Sequence, residues 1–240
     1  MSNYLMSDIH GDLKAFLKLL KKIDFKEGED FLIVNGDVVD RGEHGIEILT
    51  MVKRMVENGS AIMLKGNHEL FAQMYMEEKL TERDWILFSG EATLRDLKKL
   101  DDKKKEELLE FIKQMPLYLE KDIYPFGNTV ITHSGLMEDC LITKPDGSID
   151  VVSSIDSAIE KDEYQLLISA DIHYWEHEKR SKLDKYIICG HVPTYQLGPE
   201  YKGKIFQARA YMDVDAGAGY REQGGRLACY CIDNGKTLYI

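Results

Sequence analysis

The sequence predicts an α/β protein: a parallel sheet with crossover helices, a second sheet packed on the first, and helices outside. Three observations carry this expectation. Apolar runs of strand length recur at "YLMSD", "FLIVNGD", "AIMLKGNHE", "TVITHSG" and "YIICGHV", with helical-period segments between most of them. The first three units read strand, helix, strand, the order of a parallel sheet. After residue 205 the spacing tightens, and "AYMDVDAGAG", "RLACYCID" and "TLYI" read as closely spaced strands of the second sheet.

Taken in order, the first strand leads into "DLKAFLKLLKKIDF", an amphipathic helix, and the second into "GEHGIEILTMVKRMV". Residues 80–120 are helical and highly charged ("LRDLKKLDDKKKEELLEFIKQMP"), which reads as a solvated helical insert beside the sheet. The last two strands are joined by "DNG", a two-residue hairpin signal. "GKT" at Gly235 to Thr237 mimics the end of a phosphate loop, but the first glycine of that motif would fall on Tyr230. It reads instead as part of the hairpin turn. With 240 residues, 44% of them hydrophobic, the chain can bury one sizeable core, so a single domain over 1–240 is expected.

Charge narrows the function classes. The net charge is −11, and the basic residues are spread over helices rather than gathered in a stripe, which argues against nucleic acid or an anionic membrane as partner. No apolar run approaches the roughly 20 residues of a membrane span. The first strand starts at residue 3, leaving no room for a signal peptide, so a cytoplasmic location is expected. The four cysteines, Cys140, Cys189, Cys229 and Cys231, show neither metal-type nor phosphatase-loop spacing and read as core residues.

The chemistry lies at the strand ends. "YLMSDIHG" closes with Asp8 and His10, "FLIVNGDVVDRG" with Asp37, Asp40 and Arg41, and "AIMLKGNHE" with Asn67, His68 and Glu69. "TVITHSG" then supplies His133 and "YIICGHV" supplies His191. Ligands of open α/β sheets bind at the carboxyl ends of strands, so these groups are expected to converge. Carboxylates, imidazoles and one amide oxygen form a donor set suited to manganese, iron or zinc, and they outnumber the needs of one tetrahedral site. Two divalent ions about 3.5–4 Å apart, sharing one carboxylate, use this set economically. Asp37 is the natural bridge, at a strand end between the two groups. Such a centre suits a phosphoester, and the planar fork of Arg41 matches phosphate oxygens. His68 is left free to protonate a leaving group, with Asp40 to orient it. Asp40 is alternatively the N-cap of the following helix.

The ordered set D-x-H, G-D-x-x-D-R-G, G-N-H-E, His133 and G-H across nearly the whole chain resembles the metal-dependent phosphoprotein phosphatase family. "DWILFSGEATL", "FIKQMPLYLE", "ITHSGL" and "VDAGAG" resemble its bacterial and phage branch. The resemblance implies the calcineurin-like metallophosphoesterase fold, a β-sandwich of two mixed sheets flanked by helices. It implies one metal on Asp8, His10 and Asp37 and a second on Asp37, Asn67, His133 and His191. His68, Asp40 and Arg41 match the family's acid, its partner and a phosphate clamp. The branch also carries a second phosphate-binding Arg just after a Trp. Here the run is "HYWEHEKR", which puts His177 in that place and Arg180 one helical turn on. Either is a candidate substrate contact.

The expected reaction is hydrolysis of phosphomonoesters, with phosphoserine and phosphothreonine of a protein as substrate and a metal-bridging hydroxide as nucleophile. The alternative is a hydrolase of dinucleoside polyphosphates such as diadenosine tetraphosphate, or of other small phosphoesters, since that group resembles the same motif set. The motifs specify neither the metals nor the oligomeric state.

Overall fold

The computed structural model describes residues 2–240. The chain runs β1 (Asn3–Met6), α1 (Leu13–Lys22), β2 (Phe31–Asn35), α2 (Gly45–Glu57), β3 (Ala61–Leu64) and α3 (Asn67–Met76). Helices α4 (Glu82–Leu87), α5 (Glu91–Leu97) and α6 (Asp102–Lys113) follow. Strands β4 (Tyr118–Ile123) and β5 (Gly127–Thr132) precede a small ribbon, β6 (Ile142–Thr143) with β7 (Ile149–Asp150). Then come α7 (Val151–Ile168), α8 (Asp171–Tyr174), α9 (His177–Arg180), β8 (Tyr186–Cys189), β9 (Phe206–Gln207), β10 (Tyr211–Asp213), β11 (Ala228–Cys231) and β12 (Thr237–Tyr239).

Two five-stranded mixed sheets result, in the orders β12-β11-β1-β2-β3 and β4-β5-β8-β10-β9. Strands β1, β2 and β3 pair in parallel, as the crossover pattern requires, and so do β5, β8 and β10. Alternation along each strand assigns its side chains to two layers. Leu5, Ile33, Ile131, Ile188, Met212 and Tyr230 fill the layer between the sheets. Their neighbours Met6, Leu32 and Val34 meet α1 and α2, while Val130, Ile187 and Cys189 meet α7. Near-continuous apolar strands are what two covered faces demand. Each fully buried Leu or Ile contributes about 1.5–3 kcal/mol to the sandwich.

Three expectations are corrected. The second sheet is not the C-terminal strand group: β11 and β12 complete the first sheet through antiparallel pairing of β11 with β1, while only β10 of that group joins the second. Tyr230 points to the inter-sheet layer and Cys229 to the helix side, so "ACYC" needs two covered faces, which the first sheet offers. The hairpin is longer than two residues. Cys231 N–H donates to Lys236 O (2.8 Å), leaving a turn over 232–235 closed by Gly235 at φ +70°. Nor is the charged stretch of residues 80–120 a merely solvated lobe. Trp85, Leu94, Leu97, Leu108 and Ile112 are buried in the core beside the first sheet. Charge is carried on one face of these helices, and the apolar stripe on the other is what packs.

All four cysteines are buried and free. Among the described residues, no helix is long and apolar enough to cross a membrane.

Candidate active site

The strand ends of both sheets meet at one edge. After β1 and β2 the loops run together: Asp8 N–H donates to Gly36 O (3.1 Å), His10 N–H to Asp37 O (2.9 Å) and Gly11 N–H to Val38 O (2.8 Å). The second sheet is tied in through Asn35, whose amide donates to Thr132 O (3.1 Å) and whose carbonyl accepts from His133 Nδ1 (2.9 Å). His191 N–H donates to the Asp8 carboxyl (3.1 Å), joining the ends of β8 and β1.

The backbone here is strained. Asp8, His10, Asp37, Asp40, Arg41 and His191 all have positive φ, between +46° and +72°. Non-glycine residues seldom adopt this region, at a cost of roughly 1–3 kcal/mol each, and such outliers mark sites where geometry is over-determined. Gly36, at φ +77°, is required twice over: a Cβ there would sit 2.7 Å from Gly66 Cα and from His133 Nδ1.

Glu69 holds the centre from behind. Its buried carboxyl accepts from the N–H groups of Asp37 (2.7 Å), Val38 (2.8 Å) and Gly66 (3.0 Å), the last being the N-cap residue of α3. That helix start projects Asn67 and His68 into the site. Sequence reading noticed Glu69 without giving it a task, and the glycine before α3 offers no side chain to complete a capping signature that would have pointed to it.

Two donor groups flank Asp37. Oδ1 lies 3.4 Å from His133 Nε2, which lies 3.1 Å from Asn67 Oδ1, itself 2.9 Å from His191 Nδ1. Oδ2 lies 3.7 Å from His10 Nε2, which lies 4.0 Å from Asp8 Oδ1 and is also near His68. Thus one carboxylate turns one oxygen to each group. The second-layer bonds select the free nitrogens: Nδ1 of His133 faces Asn35 O, and Nδ1 of His10 faces Val39 O (3.0 Å), leaving Nε2 of both for the centre.

This arrangement fits cations. Carboxylate, amide and imidazole acceptors face one another at hydrogen-bond distance with few protons to share, a packing that positive charge between them relieves. Electrostatics agree. Burial pushes the Asp8 carboxyl up to about 6. Burial would also raise Asp37, yet the imidazoles of His133, His68 and His10 hold it well below the usual carboxylate range. His133 is pushed up to about 10, the Asp37 carboxylate outweighing burial, while burial and His133 push His191 down to about 3. The centre therefore calls for positive charge that its histidines cannot all carry.

At the rim, His68 Nδ1 meets Asp40 Oδ2 at 2.7 Å, and Trp85 Nε1–H donates to the same oxygen at 2.9 Å. Asp40 does not cap α2, whose N-cap is His44, so the capping alternative fails. Its own N–H donates to Thr93 Oγ1 (2.9 Å), and Arg41 N–H to Ser89 O (2.9 Å). The helical insert thereby fixes the Asp40–Arg41 loop. Arg41 lies over the Tyr220 ring, 4.6 Å from its centroid, with Nη1 2.5 Å from His10 Nε2 and Nη2 3.4 Å from His68 Nε2. Tyr220 was missed by sequence reading, since an aromatic after a glycine-rich run carries no spacing signal.

His177 and Arg180 stand apart from this group. His177 is exposed on the four-residue α9, and Arg180 lies over the ring of Tyr211, 5.2 Å from its centroid. Neither lines the cleft formed by Arg41, Asn67, His68, Phe71, Phe88 and Tyr220. The adjacent helix α8 turns His173, not His177, inward, to Asp213.

Residues 1–219 match the family model described as calcineurin-like phosphoesterase. The chain belongs to that family. Among curated proteins, this phosphoesterase is 32% identical over 139 residues to a symmetrical bis(5'-nucleosyl)-tetraphosphatase of Nitrosospira multiformis, covering 57% of this chain and 44% of that one. It is 29% identical over 147 residues to the asymmetrical bis(5'-nucleosyl)-tetraphosphatase PrpE of Halalkalibacterium halodurans, covering 56% of this chain and 57% of that one. The chain spans about half the length of the curated relatives it matches. The fold is also that of a protein serine/threonine phosphatase of Saccharomyces cerevisiae, with a TM-score of 0.62 at 17% identity over 98% of this chain and 73% of that one. A cold-active protein-tyrosine phosphatase of a Shewanella species superposes with a TM-score of 0.59 at 16% identity, over 99% and 77%.

Proposed function

We propose that this phosphoesterase hydrolyses dinucleoside polyphosphates at a dinuclear metal site. The reaction class rests on one arrangement, Asp37 between two donor groups with Arg41 and His68 at their edge. The substrate class draws support from the two tetraphosphatases, whose similarity to this chain exceeds that of any protein phosphatase described above.

Asp8, His10 and Asp37 would hold one divalent ion, and Asp37, Asn67, His133 and His191 the other. Bound there, the ions would supply Lewis acidity toward the phosphate and the attacking water. The side chains do the rest. Arg41 binds phosphate oxygens through its fork, pre-set by the Tyr220 face beneath it. His68 delivers a proton from Nε2 to the leaving oxygen, and Asp40 keeps Nδ1–H engaged so that Nε2 faces the cleft. Glu69 keeps Asp37 in place through the backbone.

The expectation of a phosphoserine or phosphothreonine substrate leaned on "SGEATL" and "MPLYLE". Both segments serve the scaffold. Ser89 and Thr93 accept from the backbone of Arg41 and Asp40, while Pro116 O accepts from Lys65 N–H (3.0 Å) at the end of β3. Such contacts position the site whatever ester it cleaves. Side-by-side turnover of diadenosine tetraphosphate and a phosphoserine peptide tests the reading: kcat/KM is expected to favour the dinucleotide at least about tenfold, a preference of about 1.4 kcal/mol. A preference for the peptide would overturn it.

A further inference from the structure

Arg41 stands between two cavities. On its His68 side lies one of about 640 Å³, lined also by Asn67, Leu87, Phe88 and Tyr164. On its His10 side lies another of about 740 Å³, lined also by Lys14, Leu17, His44 and Arg221. Both fall in the range of roughly 300–1,000 Å³ typical of small-molecule sites. Arg41 and Gly219 line both. The partition is thin because a Cβ on Gly219 would sit 2.8 Å from His10 Cδ2 and 2.9 Å from Arg41 Cδ. The lining of each cavity includes an apolar side chain open to solvent, Leu87 at 76% exposure in the first and Leu17 at 45% in the second.

The chemistry gives the two spaces different tasks. In an in-line displacement the leaving oxygen departs toward its proton donor, and His68 is in the first cavity. A phosphomonoester ends at the attacked phosphorus, so its remaining oxygens need only the donor centre and Arg41. An internal phosphoanhydride does not end there: one oxygen of the attacked phosphorus continues into the rest of the molecule, which needs a second way out. The cavity on the His10 side opens from the same guanidinium. Its lining is mixed in charge, Lys14 and Arg221 standing among Asp12, Glu43 and Glu222, so the retained phosphate chain is gripped by Arg41 at the shared wall.

We propose that the substrate threads the site, with its departing half in the Leu87 cavity and its retained half in the Leu17 cavity. This rests on the dinucleotide reading and deepens it, because it assigns each nucleoside phosphate half to named residues. In the step, an O–P bond forms from water to the attacked phosphorus and the bridging P–O bond breaks. The bridging oxygen leaves with the half in the Leu87 cavity, taking the proton of His68. One water proton goes to solvent, and the retained half keeps the new oxygen.

The test uses Leu17→Glu and Leu87→Glu in the metal-loaded enzyme. It reads the ratio of kcat/KM for diadenosine tetraphosphate to that for 4-nitrophenyl phosphate, which has no second half. Both positions are exposed, and an unchanged thermal unfolding midpoint checks that both variants fold. A carboxylate facing a polyphosphate arm is expected to lower the ratio at least about tenfold in each variant. An unmoved ratio in either variant, with the wild type active on the dinucleotide, overturns the two-armed path alone. A wild type that turns over a phosphoserine peptide and not the dinucleotide overturns the substrate reading itself.

Discussion

Trp85 and Asp40 are joined by a 2.9 Å hydrogen bond from the indole Nε1–H to the carboxylate oxygen that also meets His68 Nδ1. A residue of α4 thus reaches His68 through a single carboxylate. Trp85 is fully buried, so the bond is shielded from competing water. Trp85→Phe removes the donor and keeps most of the ring. Turnover of phenyl phosphate is expected to fall about tenfold to a hundredfold, as for loss of a hydrogen bond to a charged group, and Asp40→Asn should cost more. Steady-state kcat of the two variants checks the order, and the reverse order would remove Asp40 as the mediator.

His68 itself is separable by leaving group. His68→Asn is expected to slow phenyl phosphate by about 10² or more and 4-nitrophenyl phosphate far less, because the nitrophenolate leaves without a proton. Equal losses on the two aryl esters would assign His68 to binding.

Glu69 is the keystone of the Asp37 loop. Glu69→Gln keeps the shape but turns one acceptor oxygen into a donor facing backbone N–H groups that have no other partner. A loss of about 1–3 kcal/mol is expected for a buried group left unsatisfied. Chemical denaturation of the metal-free protein measures it, and an unchanged midpoint would show that the loop is held by something else.

His173 offers a pH test at a histidine outside the donor set. Burial, helped by the nearby Arg180 cation, pushes this histidine down from 6.5 to about 4. The folded state therefore resists protonation there, so its contribution is fully present above about 6.5 and is lost as pH falls toward 4. Between pH 7 and pH 5 wild type is expected to lose on the order of 2 kcal/mol more stability than His173→Gln. Denaturation midpoints at the two pH values check this, and parallel losses would contradict it.

Much of this molecule was legible in its sequence, for definable reasons. Asp8, His10, Asp37, Asn67, His68, His133 and His191 each follow an apolar run, and strand ends are where a parallel sheet delivers side chains. Asp40 could be read only as partner or cap, because the deciding atom, Trp85 Nε1, lies 45 residues away. The positive φ of six site residues has no sequence signal beyond the glycines beside them. Sheet membership of β11 failed for a related reason: alternation tells which faces are buried, and the pairing that sets Tyr4 opposite Cys231 is a tertiary choice. Substrate class is not legible in "SGEATL" and "MPLYLE", because Ser89, Thr93 and Pro116 there bond the backbone of Arg41, Asp40 and Lys65.

Metal content per chain tests the central claim most directly, namely that Asp37 joins two donor groups into one dinuclear site. Wild type and Asp37→Asn, each loaded with manganese, freed of excess ion and assayed by mass spectrometry, give the comparison. Two ions per chain are expected in the wild type and fewer than one in the variant, since both groups lose their shared oxygen donor. Two ions retained by Asp37→Asn, or a single ion in the wild type under saturating metal, would contradict it.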